Sequence, residues 1–196
     1  MMRLVALSLL AFSCLAAFAQ AQTLDPEGEI RPELLERAVI AMDARGHEGH
    51  AAGKLVVVDY SLHSSEERLY VIDLETGAVT PFRAAHGLGS DADHDGYLDS
   101  FSGVSGSQAS PEGLFRFAEA YIGKHGTSFR LDGLDAGNAA SRARAIVIHA
   151  ALYAEPAFLK QHGKLGRSNG CIVFSKADLA RFTKAVPEGT LIFVGK

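Results

Sequence analysis

At 196 residues, with 47% of them hydrophobic, the chain is long enough to close one domain around a large core. Lys and Arg number 19 against 23 Asp and Glu, a net charge of -4. That balance excludes nucleic acid as a partner, because phosphate binding needs a basic footprint.

The chain begins with an export pattern. Arg3 precedes an apolar run at 4–18, and two small-x-small triplets follow it, Ala17-Phe18-Ala19 and Ala19-Gln20-Ala21. The run falls short of the roughly 20 residues of a membrane span. A secretory signal peptide at 1–19 is expected, with an exported mature protein in the periplasm or cell envelope that has no stable membrane span. Cys14 leaves with the signal, so Cys171 has no intramolecular partner, and a reactive thiol or an intermolecular bridge remains. No motif specifies an oligomeric state.

Residues 20–50 read as an N-terminal arm and a helix. Pro32 suits a first helical turn, and Leu34, Leu35, Ala38, Val39 and Met42 share one face. Residues 51–196 form the expected main domain. Strands are predicted at 54–60, 68–74 and 79–85 as a meander, and His86-Gly87 closes it. Asp91, Asp93 and Asp95, with Gly96 and then Asp99, follow the opening of a calcium loop. Ser102 stands where such a loop places a bidentate Glu, and flanking amphipathic helices are missing. Structural calcium and a plain acidic surface loop are therefore both open readings. The chemistry expected below requires no cofactor.

Further strands are predicted at 114–122, 128–131, 144–149 and 190–194. The strand at 144–149 is the most β-branched, which predicts a central place in the sheet. A short helix is predicted at 155–160. Ser175 with Asp178 opens another as a capping box, with Leu179, Phe182 and Val186 on its buried face. Many strands with few helices give a β-rich α+β mixed-sheet class.

Two element ends carry the chemistry. The run Ile146-Val147-Ile148 ends in His149, and the polar turn Arg167-Ser168-Asn169-Gly170 delivers Cys171 into an apolar strand. Cys and His at element ends form a minimal set for covalent acyl transfer, in which His149 takes the thiol proton or holds a thiolate–imidazolium pair. Backbone N–H groups of Asn169, Gly170 and Cys171 are the candidate oxyanion donors, and Gly170 lets the backbone approach a substrate.

These segments, Ile146-Val147-Ile148-His149 and Ser168-x-Gly170-Cys171, together with Ser110-Pro111-Glu112-Gly113-Leu114-Phe115 and Gly123-Lys124-His125-Gly126, resemble the L,D-transpeptidase (YkuD-type) catalytic domain, and its murein branch in particular. The resemblance runs from about Lys54 to the C-terminus. Where typical members carry Ser-His-Gly-Cys, this chain has Asn169; where they carry His-Gly, it has Ala150; and Val173 replaces a polar residue. The resemblance implies a curved mixed-sheet sandwich or barrel with peripheral helices and a groove between sheets. It also implies peptidoglycan tetrapeptide stems as substrate, D-alanine release and cross-linking. Hydrolysis by an L,D-carboxypeptidase, or a non-catalytic wall-binding module, are the alternatives. A backbone carbonyl is the implied orienter of His149, with His86 or Ser168 as further candidates. Arg167, Lys164 and Tyr153 are candidate contacts for stem carboxylates.

Overall fold

Strand β1 (Lys54–Asp59) is buried on both faces, and its side chains alternate between two cores. Leu55 and Val57 join one cluster, while Val56 and Val58 join the other. Strand β2 (Leu69–Asp73) repeats the sorting with Tyr70 and Ile72 against Leu69 and Val71. Strand β8 (Leu191–Gly195) repeats it with Leu191 and Phe193 against Ile192 and Val194. A strand read as continuously apolar is therefore covered on both sides. The first cover is helix α1 (Pro32–Asp43), whose Leu34, Leu35, Ala38, Val39 and Met42 complete the outer cluster. A single helical turn follows as α2 (His47–His50).

The computed structural model describes residues 24–196. The expected signal peptide at 1–19 and Cys14 lie outside the described residues. The remaining elements are β3 (Val79–Phe82), β4 (Gly113–Gly123), β5 (Gly126–Gly133), β6 (Val147–Ala150), α3 (Pro156–His162), β7 (Ile172–Phe174) and α4 (Lys176–Ala185). The eight strands of the described residues form one mixed sheet in the order β3-β2-β1-β8-β4-β5-β6-β7. The pairs β1–β8 and β6–β7 are parallel, and the others are antiparallel.

The inner cluster draws side chains from across this sheet, including Phe82, Phe115, Ile148 and Phe174, and α4 adds Leu179 and Phe182. One cluster can take residues from so many strands only if the sheet curves around it. The curvature brings the two edges together. Ala85, just beyond β3, bridges Val173 of β7, and Gly87 bridges Ser168. β3 itself does not pair with β7, so the sheet is not a closed barrel. The mixed α+β class with few short helices is as the sequence predicts. Helix α4 starts as its capping box requires, with the Asp178 N–H donating to Ser175 Oγ at 3.0 Å.

Candidate active site

The register of β6 on β7 brings the two expected residues together. Ile148 pairs with Ile172 and His149 with Val173, which sets Cys171 beside Val147. Side chains alternate across a strand. Ile148, Ile172 and Phe174 point into the inner core, so His149, Val147, Cys171 and Val173 share the outer face. Val173 is packed in a small cluster with Ala85, Ala154 and Leu165, and Cys171 lies on its edge, half-buried. His149 and Cys171 line one cleft of about 310 Å³. The groove is thus on the outer face of a single sheet, roofed by the β4–β5 hairpin, and not between two sheets.

His149 is only 1% exposed. Its Nδ1 lies 3.1 Å from the Ala150 carbonyl oxygen. A carbonyl can only accept, so Nδ1 carries the proton and Nε2 of the neutral ring is free to accept one. Burial lowers the His149 pKa, the Ala150 carbonyl opposes this, and the charges of His125 and Lys124 lower it further. The ring is therefore a neutral base near neutral pH. The Cys171 thiol donates to the Ala145 carbonyl at 3.6 Å. Burial pushes its pKa up, against the pull of the Val147 N–H and the charges of Lys124 and Arg144. The resting pair is thiol and imidazole.

The turn that bears Cys171 is held from both sides. Ser168 Oγ accepts from the Gly170 N–H at 3.1 Å and lies 2.8 Å from the Cys171 carbonyl, to which it donates. The Ser168 N–H donates to the His86 carbonyl at 2.8 Å, and the Leu88 N–H donates to the Ser168 carbonyl at 2.7 Å. With the Gly170 N–H occupied, the oxyanion candidates narrow to Asn169 and Cys171. Gly170 adopts φ +109°, and a Cβ there would stand 2.6 Å from the Ala109 carbonyl. The missing Cβ lets two backbones meet beside Cys171.

His86 does not reach the cleft. Its ring is buried between Arg68, which donates to Nδ1 at 2.8 Å, and Asp91, which accepts from Nε2 at 3.0 Å. Burial and the Arg68 charge lower its pKa to about 4, so it bridges the two charges as a neutral ring. Only its carbonyl serves the site, through Ser168. Tyr153 lines the cleft, and burial raises its hydroxyl pKa to about 12. Arg167 also lines it, with one guanidinium nitrogen donating to the Asp91 carbonyl. Asn169 is exposed at its rim. Lys164 is turned away and donates to the His94 carbonyl.

Lys124, His125, Tyr121 and Arg144 line the same cleft, though no sequence signal gave them a site role. The two-glycine turn Gly123-Lys124-His125-Gly126 marks a hairpin tip, but only the tertiary fold shows where the tip lands. Residue 144 was expected inside a strand. Instead Ala145 takes φ +54°, and Arg144 leaves the sheet to donate to the Ser102 and Ala109 carbonyls, each at 2.8 Å.

The acidic loop gathers part of its expected ligand set. Carboxylate oxygens of Asp91, Asp93 and Asp95 all lie within 4.8 Å of one another, close enough to share a cation, and Asp99 is not in that group. Asp91 is buried and already accepts from the Asp95 N–H at 3.0 Å, the Gly96 N–H at 3.3 Å and His86. Its remaining capacity for a metal is small.

A family profile described as the L,D-transpeptidase catalytic domain matches residues 26–194. No curated protein sequence matches the chain. Among solved structures, an L,D-transpeptidase from Mycobacterium smegmatis is similar at 18% identity and TM-score 0.43, covering 74% of this chain and 59% of that one. L,D-transpeptidase 3 from Mycobacterium tuberculosis, in complex with a faropenem-derived adduct, is similar at 16% identity and TM-score 0.46, covering 74% of this chain and 60% of that one. An L,D-transpeptidase from Xylanimonas cellulosilytica gives 18% identity and TM-score 0.42, covering 74% and 61%. The chain spans about 59% of the length of the first of these.

Proposed function

The chain belongs to the L,D-transpeptidase catalytic-domain family, and from that premise we propose that it is an exported, cysteine-dependent acyltransferase acting on peptidoglycan stem peptides. The observation that carries the reading is the shared face of β6 and β7. It sets His149, with Nδ1 tied to a carbonyl, and Cys171 in one cleft.

Nε2 of His149 takes the thiol proton as Sγ attacks the carbonyl of the third residue of a tetrapeptide stem. The tetrahedral oxyanion faces the Asn169 and Cys171 N–H groups, where each donor is worth roughly a hundredfold in rate. The bond to the terminal D-alanine breaks, its amine takes the proton from His149, and a thioester remains. An amine of a second stem then attacks, gives its proton to His149, and leaves as the new amide while the thiol is restored. Water in place of that amine makes the same site a carboxypeptidase. The cleft lining includes Lys124, Arg144 and Arg167 but no Asp or Glu, in a chain of net charge -4. A cationic cleft suits the stem's free carboxylates. Among the described residues, no helix is long and apolar enough to cross a membrane.

Purified protein lacking residues 1–19, incubated with tetrapeptide muropeptides, should release D-alanine and carry one acyl adduct on Cys171 by mass spectrometry. Cross-linked products identify transpeptidation, and tripeptides identify hydrolysis. A stem that binds without ever acylating the thiol would leave a wall-binding module. Turnover that survives Cys171→Ser would overturn the nucleophile.

A further inference from the structure

We propose that His125, at the tip of the β4–β5 hairpin, is a positioning residue that holds the imidazole of His149 by stacking on it. The inference rests on the acyl-transfer reading above for its catalytic meaning, though not for its geometry. The two rings lie nearly parallel, with centroids 4.0 Å apart and planes 15° apart.

The hairpin is built to make that contact. Gly123 pairs with Gly126, and Gly126 takes φ +77° while Lys124 and His125 keep ordinary negative φ. This is the turn-plus-bulge hairpin that needs a residue in the left-handed region at its end. A register shift between Phe117 and Ala120 marks a bulge in β4. Bulges bend and twist a strand pair, and the tip lies over the face that carries Cys171 and His149.

His149 has one anchor of its own, the Ala150 carbonyl in its own backbone. Turning of the ring about its Cβ–Cγ bond would break that one hydrogen bond and, with it, the preference for the Nδ1–H tautomer. A flat ring pressed on the imidazole face opposes that turning, and offset aromatic pairs at this spacing are favourable. The ring plane then stays fixed while Nε2 works on the thiol. Small misplacements of a catalytic group cost large factors in rate. His125 is itself exposed, so its burial is not required to close the core. A residue with no core to complete, placed flat on the base, has its effect through the base.

The test uses the mature protein with His125→Ala and His125→Phe. Phenylalanine keeps a flat ring and removes both nitrogens. Long-range 1H–15N spectra report the His149 tautomer, and D-alanine release from a tetrapeptide stem reports kcat and KM. We expect wild type and His125→Phe to show one Nδ1–H tautomer. His125→Ala should show a mixture, with kcat down about tenfold or more at nearly unchanged KM, and His125→Phe should recover most of the loss. An unchanged His149 spectrum in His125→Ala would overturn the proposal. So would a rise in KM at constant kcat, which would make His125 a substrate wall, or failure of His125→Phe to rescue with the His149 spectrum intact, which would make its nitrogens act on substrate directly. If the wild type turns over no stem, the acyl-transfer reading fails, and the spectra still decide whether His125 holds His149.

Discussion

Cys171 rests as a thiol because its burial outweighs the pull of Lys124, Arg144 and the Val147 N–H. A raised pKa means that the thiolate appears only as pH climbs past the ordinary value of 9.0. Alkylation of mature protein by iodoacetamide should therefore keep accelerating through pH 8 to 9, on the order of tenfold per unit. An early plateau near pH 6 would instead reveal a stable thiolate–imidazolium pair. In the proposed acyl transfer the substrate reaction differs, because His149 would take the proton during attack. His149→Ala should leave the fold intact and slow acylation by roughly a hundred- to ten-thousandfold, read by mass spectrometry of the acyl adduct. Equal rates in the mutant would make His149 structural. Both positions stood out in the sequence, His149 where an apolar run ends and Cys171 where a polar turn enters one. His86 looked the same in sequence, a histidine closing a strand. Arg68, one strand away, and Asp91, five residues on, claim its ring instead. A residue's neighbours across the sheet are not written beside it.

The turn that bears Cys171 is an element defined by contacts rather than by hydrogen-bonded repeats. Gly170→Ala places a Cβ against the Ala109 carbonyl at 2.6 Å and the Ile146 methyl at 2.9 Å, in a left-handed conformation. The expected cost is about 1–3 kcal/mol, read as a lower urea midpoint, with acylation of Cys171 reduced further than stability alone explains. A wild-type acylation rate would show that the turn tolerates displacement. The acidic loop is also an element of this kind, and its expected calcium is a claim about ligands. If Asp91, Asp93 and Asp95 share a cation, millimolar calcium should raise Tm and chelator should reverse it, since the ion binds only the folded state. No shift would leave the loop as a turn closed by its own N–H groups. Strand positions were readable from β-branched runs: the strands predicted at 68–74 and 190–194 are observed as Leu69–Asp73 and Leu191–Gly195. The start of β6 was not. Alternation cannot show that Arg144 leaves the sheet to clamp the 102–109 loop. The hairpin tip was equally hidden, because Gly123 and Gly126 announce a turn and give no destination.

At the scale of the whole molecule, the backbone bridges that close the seam of the curved sheet are backed by a buried charged network. Fully buried Arg68 donates to the Ala84 carbonyl at 2.8 and 2.9 Å and to His86, and the Tyr60 ring lies 4.8 Å beneath its guanidinium. His86 passes the contact to Asp91 through its ring and to Ser168 through its carbonyl. His86 therefore ties Arg68 to Asp91 through one neutral imidazole and holds the turn that bears Cys171 through its backbone carbonyl, beside the Ala85–Val173 bridge. Protonating that ring would place a second positive charge beside Arg68 in a dry interior. The folded state accordingly binds the proton only near pH 4, while the unfolded chain binds it near 6.5. Above 6.5 both states are neutral at this residue and its contribution is complete. As pH falls from 6.5 toward 4, the unfolded state takes up a proton that the folded state refuses, and stability declines. The decline from His86 amounts to about 3 kcal/mol at most. His149 and His125, whose pKa values are also lowered, add in the same direction. Asp91 adds its own loss below its ordinary 3.8, because its folded pKa is lowered. Urea unfolding at a series of pH values should show this slope between 6.5 and 4. His86→Gln can still accept from Arg68 and donate to Asp91 but cannot titrate. It should lower stability at neutral pH and flatten the slope. A variant that kept the full wild-type slope would place the acid sensitivity elsewhere in the molecule, and would separate the seam from the network that passes through His86.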